Sequence, residues 1–311
     1  MIGIRAIASY LPDDRIDNLH QAETFGENAD FIKDKIGAMR LPLKAVEQES
    51  SDLAVEAVKA LIDRYPLKIA EIDALIIVTQ NPDGVGLPHT AAIVQNKLHI
   101  PSQVAAFDVS LGCSGYVYGL SILRGLMEQA GLKNGILVTA DPYSRVINRD
   151  NRITSLLFGD AATATWLSEE SEWIFDRPLL ETDGSGRDSL YVDDRHELHM
   201  NGRQVFNFAA VRVPQQINRY LDERNMLPSD IDLFCLHQGS AAIVDAISRR
   251  YPDVQERFLK DIIETGNTVS SSIPLLLEKH VLGTDLKRVL ICGFGVGLSW
   301  ATNLLEKVNH D

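Results

Sequence analysis

Cys113 is the residue of this sequence best placed to act as a nucleophile. It lies in Ser110-Leu111-Gly112-Cys113-Ser114-Gly115, after an apolar run that ends at Val109 and before apolar residues at helical spacing in 116–129. We therefore predict a strand-to-helix turn, where unpaired backbone N–H groups and the helix dipole favour a thiolate. A buried structural cysteine is the alternative, because free cysteines are often buried.

Two further residues could take part in the same chemistry. His237 follows the apolar run 233–236, and the C-terminal end of a strand is where open α/β sheets present residues to ligands. A structural histidine fits that position equally well. Asn267 precedes a helical pattern that runs towards His280, so it is either a helix N-cap or a functional amide. Cys113 and Asn267 each precede a helix, and a pseudo-twofold fold would bring the two helix ends together.

A third segment, Gly293-Phe294-Gly295-Val296-Gly297, is rich in glycine. It lacks the last spacing of a dinucleotide-binding fingerprint, and an apolar strand-like run follows it instead of a helix. We therefore favour a different reading, in which its backbone N–H groups face an oxyanion.

Apolar runs of strand length alternate with helical patterns, which predicts an α/β fold with buried sheets. The predicted strands are 74–79, 104–109, 135–140, 233–236 and 289–291. The run 72–77 is echoed by 231–236, and 135–138 by 288–291. Two echoes in the same order predict a duplicated unit, with one half over 1–170 and the other over 171–311. Chance similarity between apolar strands is the alternative. Residues 181–188, which are rich in turn formers, predict a loop near the junction.

Composition narrows the possible partners. The formal net charge is −13 with no basic cluster, which argues against nucleic acid or an anionic membrane as a partner. The N-terminal run lacks a signal-peptide core, and the longest uncharged stretch is interrupted by glycines, so we expect a cytoplasmic protein. The three cysteines form no C-x-x-C pair, and no histidine has metal-ligand spacing, so no metal site is predicted.

Taken in order, these segments resemble the β-ketoacyl-acyl carrier protein synthase III family of the thiolase superfamily. The matching features span nearly the whole chain: Gly112-Cys113-Ser114-Gly115, Phe158-Gly159-Asp160-Ala161-Ala162, His237-Gln238, Gly266-Asn267-Thr268 with Ser272-Ile273-Pro274, and Gly293-Phe294-Gly295 with Trp300. The resemblance implies a thiolase fold of five layers, α-β-α-β-α, built from two duplicated halves. It also implies a homodimer.

The same resemblance implies an acyltransferase that forms carbon–carbon bonds. Cys113 would take an acyl group from a thioester, and His237 and Asn267 would stabilise the enolate formed when a malonyl thioester loses CO₂. The backbone N–H groups of Cys113 and Val296 would form the oxyanion hole. The family has glycine where Val296 stands, so a positive φ there would strain the valine. Coenzyme A or acyl carrier protein thioesters are the implied substrates, without a cofactor or metal.

Positions at the mouth of the implied site match less closely. Phe31 and Lys35 stand where the family commonly has tryptophan and arginine to hold coenzyme A, whereas Arg152 matches a mouth arginine and Phe158 lies in a matching motif. Leu87 replaces a phenylalanine with which the partner subunit often closes the acyl pocket, so we expect a roomier pocket. Two positions that are often basic for docking the carrier protein are Asn207 and Ala242 in this chain.

Four other functions share some of these features. A degradative thiolase would need its second cysteine at Gly293, and Cys292 is one residue away, on the opposite face of a strand. A papain-like protease shares the order Cys, His, Asn but has a different pattern around the nucleophile. A relative that transfers acyl groups to oxygen or nitrogen remains open, although Asn267 favours condensation. A non-catalytic partner subunit would not need all three groups.

Overall fold

Strands and helices alternate along the chain in the computed structural model, which describes residues 1–308. The strands are β1 (Gly3–Tyr10), β2 (Arg15–Asp17), β3 (Arg40–Pro42), β4 (Ala74–Val78), β5 (Ala105–Val109), β6 (Gly135–Ala140), β7 (Ala162–Ser168), β8 (Trp173–Phe175), β9 (Leu179–Thr182), β10 (Leu190–Val192), β11 (Leu198–Met200), β12 (Leu233–Leu236), β13 (Arg288–Gly295) and β14 (Ser299–Lys307). The α-helices are α1 (Asn18–Thr24), α2 (Ala29–Phe31), α3 (Ser50–Arg64), α4 (Thr90–Lys97), α5 (Gly115–Ala130), α6 (Arg152–Ser155), α7 (Gly202–Asp222), α8 (Ala241–Ser248) and α9 (Ser272–His280).

The sheet has the strand order β12-β13-β14-β8-β1-β7-β6-β4-β5, and β9 also pairs with β14. The short strand β8 joins the two halves, because it pairs with β1 through Ile4 and Trp173 and with β14 through Leu305 and Phe175. Within each half, the neighbours β4 and β6, and β12 and β13, run parallel.

Helices cover both faces of each half of the sheet. Helices α3 and α4 pack on one face of the N-terminal strands, and α7 packs on the outer face of β13 and β14. The central helix α5 contacts β4 and β6 on one side and β13 and β14 on the other, and α9 contacts both β1 and β12. These contacts give the five layers α-β-α-β-α and confirm the expected thiolase fold.

The alternation of side chains along β4 shows why the layers form. Ile76 and Val78 face the central helices, while Leu75 and Ile77 face α3 and α4, and all four are fully buried. Successive residues of a strand point to opposite faces, so a continuous apolar run needs a cover on both sides. Each such side chain contributes about 1.5–3 kcal/mol when it leaves water.

The predicted internal repeat is present in the pairing register. Ala74 of β4 pairs with Gly135 of β6, and Leu233 of β12 pairs with Val289 of β13. An aspartate precedes the first strand of each pair. Asp73 accepts hydrogen bonds from the backbone N–H groups of residues 133 and 134, and Asp232 does the same for residues 287 and 288. An equivalent aspartate therefore fixes the start of the second parallel strand in each half.

Some boundaries differ from the sequence-based expectation. The predicted strand 289–291 extends from Arg288 to Gly295, and the predicted loop 181–188 begins inside β9, whose residues pair with β14. The division at residue 170 stays a prediction, and residues 309–311 of the second predicted half lie outside the described residues. Within 1–308, no helix is long and apolar enough to cross a membrane, and no three His, Cys, Asp or Glu side chains group as a metal site.

Candidate active site

Cys113 lies in the turn between β5 and α5, as the sequence predicts. Its surroundings require glycine on the facing strand β13. A Cβ at Gly293 would stand 2.6 Å from the Cys113 carbonyl oxygen, and one at Gly295 would stand 2.8 Å from both Cβ and Sγ of Cys113. The glycine-rich segment is thus explained by the close approach of β13 to the nucleophile-bearing turn.

The pKa of the Cys113 thiol differs from the expectation. Burial and the nearby Asp141 carboxyl raise it to about 12, although hydrogen bonds from the backbone N–H groups of Cys113 and Val296 oppose the rise. This direction is opposite to the one that the helix terminus alone predicts. Desolvation penalises the charged sulfur more than these donors stabilise it. These two N–H groups favour the charged form of the sulfur.

His237 follows β12 directly, and its backbone N–H donates to the Cys292 carbonyl at 2.9 Å. The imidazole packs edge-on against Phe294, with ring centroids 5.3 Å apart, and is 2% exposed. Burial lowers the pKa of His237 to about 3, and an interaction with the Val269 backbone partly opposes this. The ring is therefore neutral at physiological pH and can donate one N–H.

Asn267 is fixed by backbone contacts to residues 157–159. Its N–H donates to the Leu157 carbonyl at 2.9 Å, and its carbonyl accepts from the N–H of Gly159 at 3.1 Å. The helix N-cap alternative fails for α9, because Ser271 is its N-cap residue. The Asn267 side chain instead accepts the Val269 N–H at 2.9 Å.

The loop that carries Val296 is tied to the cysteine turn. Ser299 Oγ lies 2.6 Å from Ser114 Oγ and donates to the Val296 carbonyl at 3.1 Å. Among the described residues, the non-glycine residues with positive φ are His99, His196, Asn225 and Val269. Val296 is not one of them, so the strain expected at this position is absent and a valine fits it.

Cys113, His237 and Asn267 all line one cleft of about 960 Å³. Four of the five predicted substrate-binding residues, Phe31, Lys35, Arg152 and Phe158, line it as well.

The mouth of this cleft carries a stacked and paired arginine. The Arg152 guanidinium lies 5.6 Å from the centroid of the Phe31 ring and forms an ion pair with Glu27. Leu87 does not line the cleft within one chain. Its side chain is 88% exposed on a loop that also exposes Val85.

Sequence reasoning missed a buried polar group behind the cysteine. Asp141, directly after β6, accepts hydrogen bonds from the Gln80 N–H at 3.1 Å and from the Asn81 side chain at 2.7 Å. Tyr143 donates its hydroxyl to the Gln80 side chain at 3.0 Å. Burial raises the pKa of Asp141 to about 7. The one sequence feature that could have indicated Asp141 is its position at the C-terminal end of a strand.

The other two cysteines lie away from the cleft. Cys292 belongs to the outer cluster between β13 and the helices α7 and α8, where Thr302 donates its hydroxyl to the sulfur at 3.3 Å. Cys235 lies in the central cluster, and burial raises its pKa. The orientation of Cys292 removes it as the second cysteine of a degradative thiolase.

The fold and the cleft together define an enzyme of the acyltransferase class with the thiolase fold. Comparison with known proteins gives the family. Residues 107–184 match the family described as 3-oxoacyl-[acyl-carrier-protein] synthase III, and residues 221–307 match its C-terminal family. The chain belongs to the 3-oxoacyl-[acyl-carrier-protein] synthase III family.

Individual relatives are similar over their full lengths. A β-ketoacyl-[acyl-carrier-protein] synthase III from Clostridioides difficile is 30% identical, covering 98% of each chain. A crystal structure of a 3-oxoacyl-(acyl-carrier-protein) synthase III superposes with a TM-score of 0.92 at 33% identity, covering 98% of this chain and 99% of that one. The Thermus thermophilus enzyme gives a TM-score of 0.91 at 30% identity, with the same coverage.

Proposed function

We propose that this enzyme joins an acyl group, carried on Cys113, to a malonyl thioester with loss of CO₂. The observation that carries the proposal is the convergence of three groups on one cleft. The Cys113 sulfur, the neutral His237 ring and the Asn267 amide all line it. A non-catalytic subunit would not need all three groups. Cys292 lies in the outer cluster, so it is not placed to act as the second cysteine of a degradative thiolase.

In the first step, the Cys113 sulfur attacks the carbonyl of an acyl thioester. The thioester C–S bond breaks, the acyl group remains on the sulfur, and the thiol proton goes to the departing thiol. Negative charge develops on the carbonyl oxygen. The N–H groups of Cys113 and Val296 are the proposed oxyanion hole, because both favour negative charge on the neighbouring sulfur.

In the second step, a malonyl thioester loses CO₂ and the resulting enolate attacks the acyl carbonyl. The Cys113 thiolate leaves, takes up a proton, and a 3-oxoacyl thioester is released. His237 and Asn267 are the proposed donors to the enolate oxygen. A neutral imidazole suits this role, because burial keeps its pKa low and the donor N–H needs no charged partner.

Phe31, Lys35, Arg152 and Phe158 are the proposed substrate-binding residues. Arg152 and Lys35 supply positive charge at the mouth, which suits the phosphates of coenzyme A or of a carrier-protein prosthetic group. The carrier protein would dock without basic residues at Asn207 and Ala242. We propose thioesters as the only co-substrates and the reducing cytoplasm as the compartment, which suits three free thiols.

We also propose a homodimer in which Leu87 of each subunit closes the acyl pocket of the other. Strand β5 ends the sheet, and all five of its residues are half-buried although four of them are apolar. An apolar edge strand needs a cover, and a second copy supplies one. The exposed Val85 and Leu87 lie on a neighbouring loop. If Leu87→Phe leaves long-chain acylation of Cys113 unchanged, the roomier pocket is refuted.

Two measurements test the main proposal. Intact mass after incubation with a panel of acyl thioesters should show one acyl adduct that Cys113→Ala abolishes. Release of CO₂ from a malonyl thioester should fall strongly in His237→Ala and Asn267→Ala. Absence of an adduct with every thioester would overturn the covalent step. Transfer of the acyl group to an oxygen or nitrogen acceptor, without CO₂ release, would establish the other candidate reaction.

A further inference from the structure

Val269 has a backbone conformation that its side chain disfavours. Its φ is +53°, whereas the other non-glycine residues with positive φ among residues 1–308 are two histidines and an asparagine. A β-branched residue in this left-handed region is strained. Val269 is also fully buried. Strain of this kind persists only where the surrounding structure holds it in place.

The strained residue fixes the orientation of the Asn267 amide. The Val269 N–H donates to Asn267 Oδ1 at 2.9 Å, which places the acceptor end of the amide towards the backbone. The donor end, Nδ2, then has one long contact, 3.5 Å to the Gly239 carbonyl. Since Asn267 lines the cleft, an N–H of this group is available to a substrate oxygen.

Packing against the nucleophile holds the strain. The Val269 side chain belongs to one buried cluster with Cys113, Tyr143, Leu157 and Phe158. Phe158 is bridged to Asn267 through the backbone. The Val269 side chain therefore packs among the residues that surround Cys113, while its backbone N–H donates to the Asn267 side chain.

We infer that Val269 is a positioning residue for the decarboxylation step: its left-handed backbone, locked by side-chain packing, holds Asn267 with Nδ2 towards the cleft. The inference rests on the proposed function, because it assigns the Asn267 amide to the enolate oxygen. The inference predicts different effects on the two half-reactions. Acyl transfer to Cys113 uses backbone donors and does not need the Asn267 amide, whereas loss of CO₂ does.

The test compares variants of the full chain. Val269→Gly accepts the φ without strain but removes the packing, so the backbone of this turn gains freedom. Val269→Thr keeps the β-branched shape. Val146→Ala is the matched control, because Val146 lies in the same cluster with a φ of −115°. Acylation by an acyl thioester and CO₂ release from malonyl-coenzyme A are measured for each variant.

We expect Val269→Gly to lower CO₂ release at least tenfold while acylation changes less than threefold, and Val269→Thr to retain both rates within threefold. Val146→Ala should change the two rates in parallel. Equal losses of both rates in Val269→Gly, or an unchanged rate of CO₂ release, would overturn the inference.

A second readout is independent of the reaction. The Asn267 side-chain amide should give one sharp pair of NMR signals in the wild type and exchange-broadened signals in Val269→Gly. Sharp, unshifted signals in the variant would overturn the positioning role. If the wild-type enzyme releases no CO₂, the proposed function fails, while these spectra still decide the role of Val269.

Discussion

Replacing His237 by glutamine should remove a pH-dependent part of the free energy of unfolding. In the folded chain, burial lowers the pKa of His237 from its ordinary value of 6.5 to about 3. Between these two values the unfolded chain binds a proton at this ring and the folded chain does not. Stability therefore rises with pH across this window and is lost as the pH falls through it.

The magnitude follows from the window. The slope approaches about 1.4 kcal/mol per pH unit between the two pKa values and is half of that at pH 6.5, so lowering the pH from 6.5 to 4.5 costs the wild type about 2 kcal/mol at this residue. Asp141 acts in the opposite direction. Its pKa is raised from 3.8 to about 7, so its contribution weakens as the pH rises through that range. In the pH dependence of wild-type stability alone, the contributions of His237 and Asp141 would partly cancel.

The assay is urea unfolding of wild type and His237→Gln at pH 4.5, 5.5, 6.5 and 7.5, at one protein concentration in case association contributes. The stability difference between the two should shift in favour of the variant by about 2 kcal/mol between pH 6.5 and 4.5. Asn267→Ala, another buried but non-titrating change in the cleft, should give a constant difference. A constant difference for His237→Gln would refute the argument that the ring is buried and neutral.

Three further changes have defined outcomes. Gly295→Ala places a Cβ 2.8 Å from Cys113 Sγ, so the rate of Cys113 acylation should fall at least tenfold, as followed by intact mass. Gly266→Ala, with a φ of +63° and a Cβ 2.3 Å from the Leu41 side chain, should lower the unfolding free energy by about 2 kcal/mol or more in urea. Asp141→Asn removes a negative charge near the thiol, so the Cys113 pKa should fall and iodoacetamide labelling at pH 8 should become faster; unchanged labelling would exclude that electrostatic coupling.

The sequence predicts those parts of the fold that local patterns determine. The strands β6 and β12 begin and end as predicted, since each is a short apolar run bounded by polar or turn-forming residues. The repeat was visible because both halves need the same aspartate before the first strand and the same apolar run within it. Three residues of the cleft, Cys113, His237 and Asn267, were found through their positions at strand and helix ends.

The sequence does not predict properties that depend on how the interior packs, such as the pKa of a buried group. The sequence placed Cys113 at a helix terminus and indicated a thiolate. The opposite direction of its pKa comes from burial and from Asp141, which is 28 residues away and reaches the site through a different strand. The long segment between β9 and α7 contributes residues such as Leu190 and Met200 to the cleft, although its apolar residues show no regular period.

The position of backbone strain is a clear example of a feature that the sequence does not predict. The family pattern has a glycine where Val296 stands, so a positive φ at that position would have strained the valine. In the structure Val296 lies outside the left-handed region, and Val269 lies within it. A glycine can be required by space as well as by φ, and the space at Gly293 and Gly295 is occupied by the Cys113 turn. Whether space or φ requires the glycine depends on the segments that pack against it. No local sequence pattern indicates the positive φ at Val269, which only the folded structure shows.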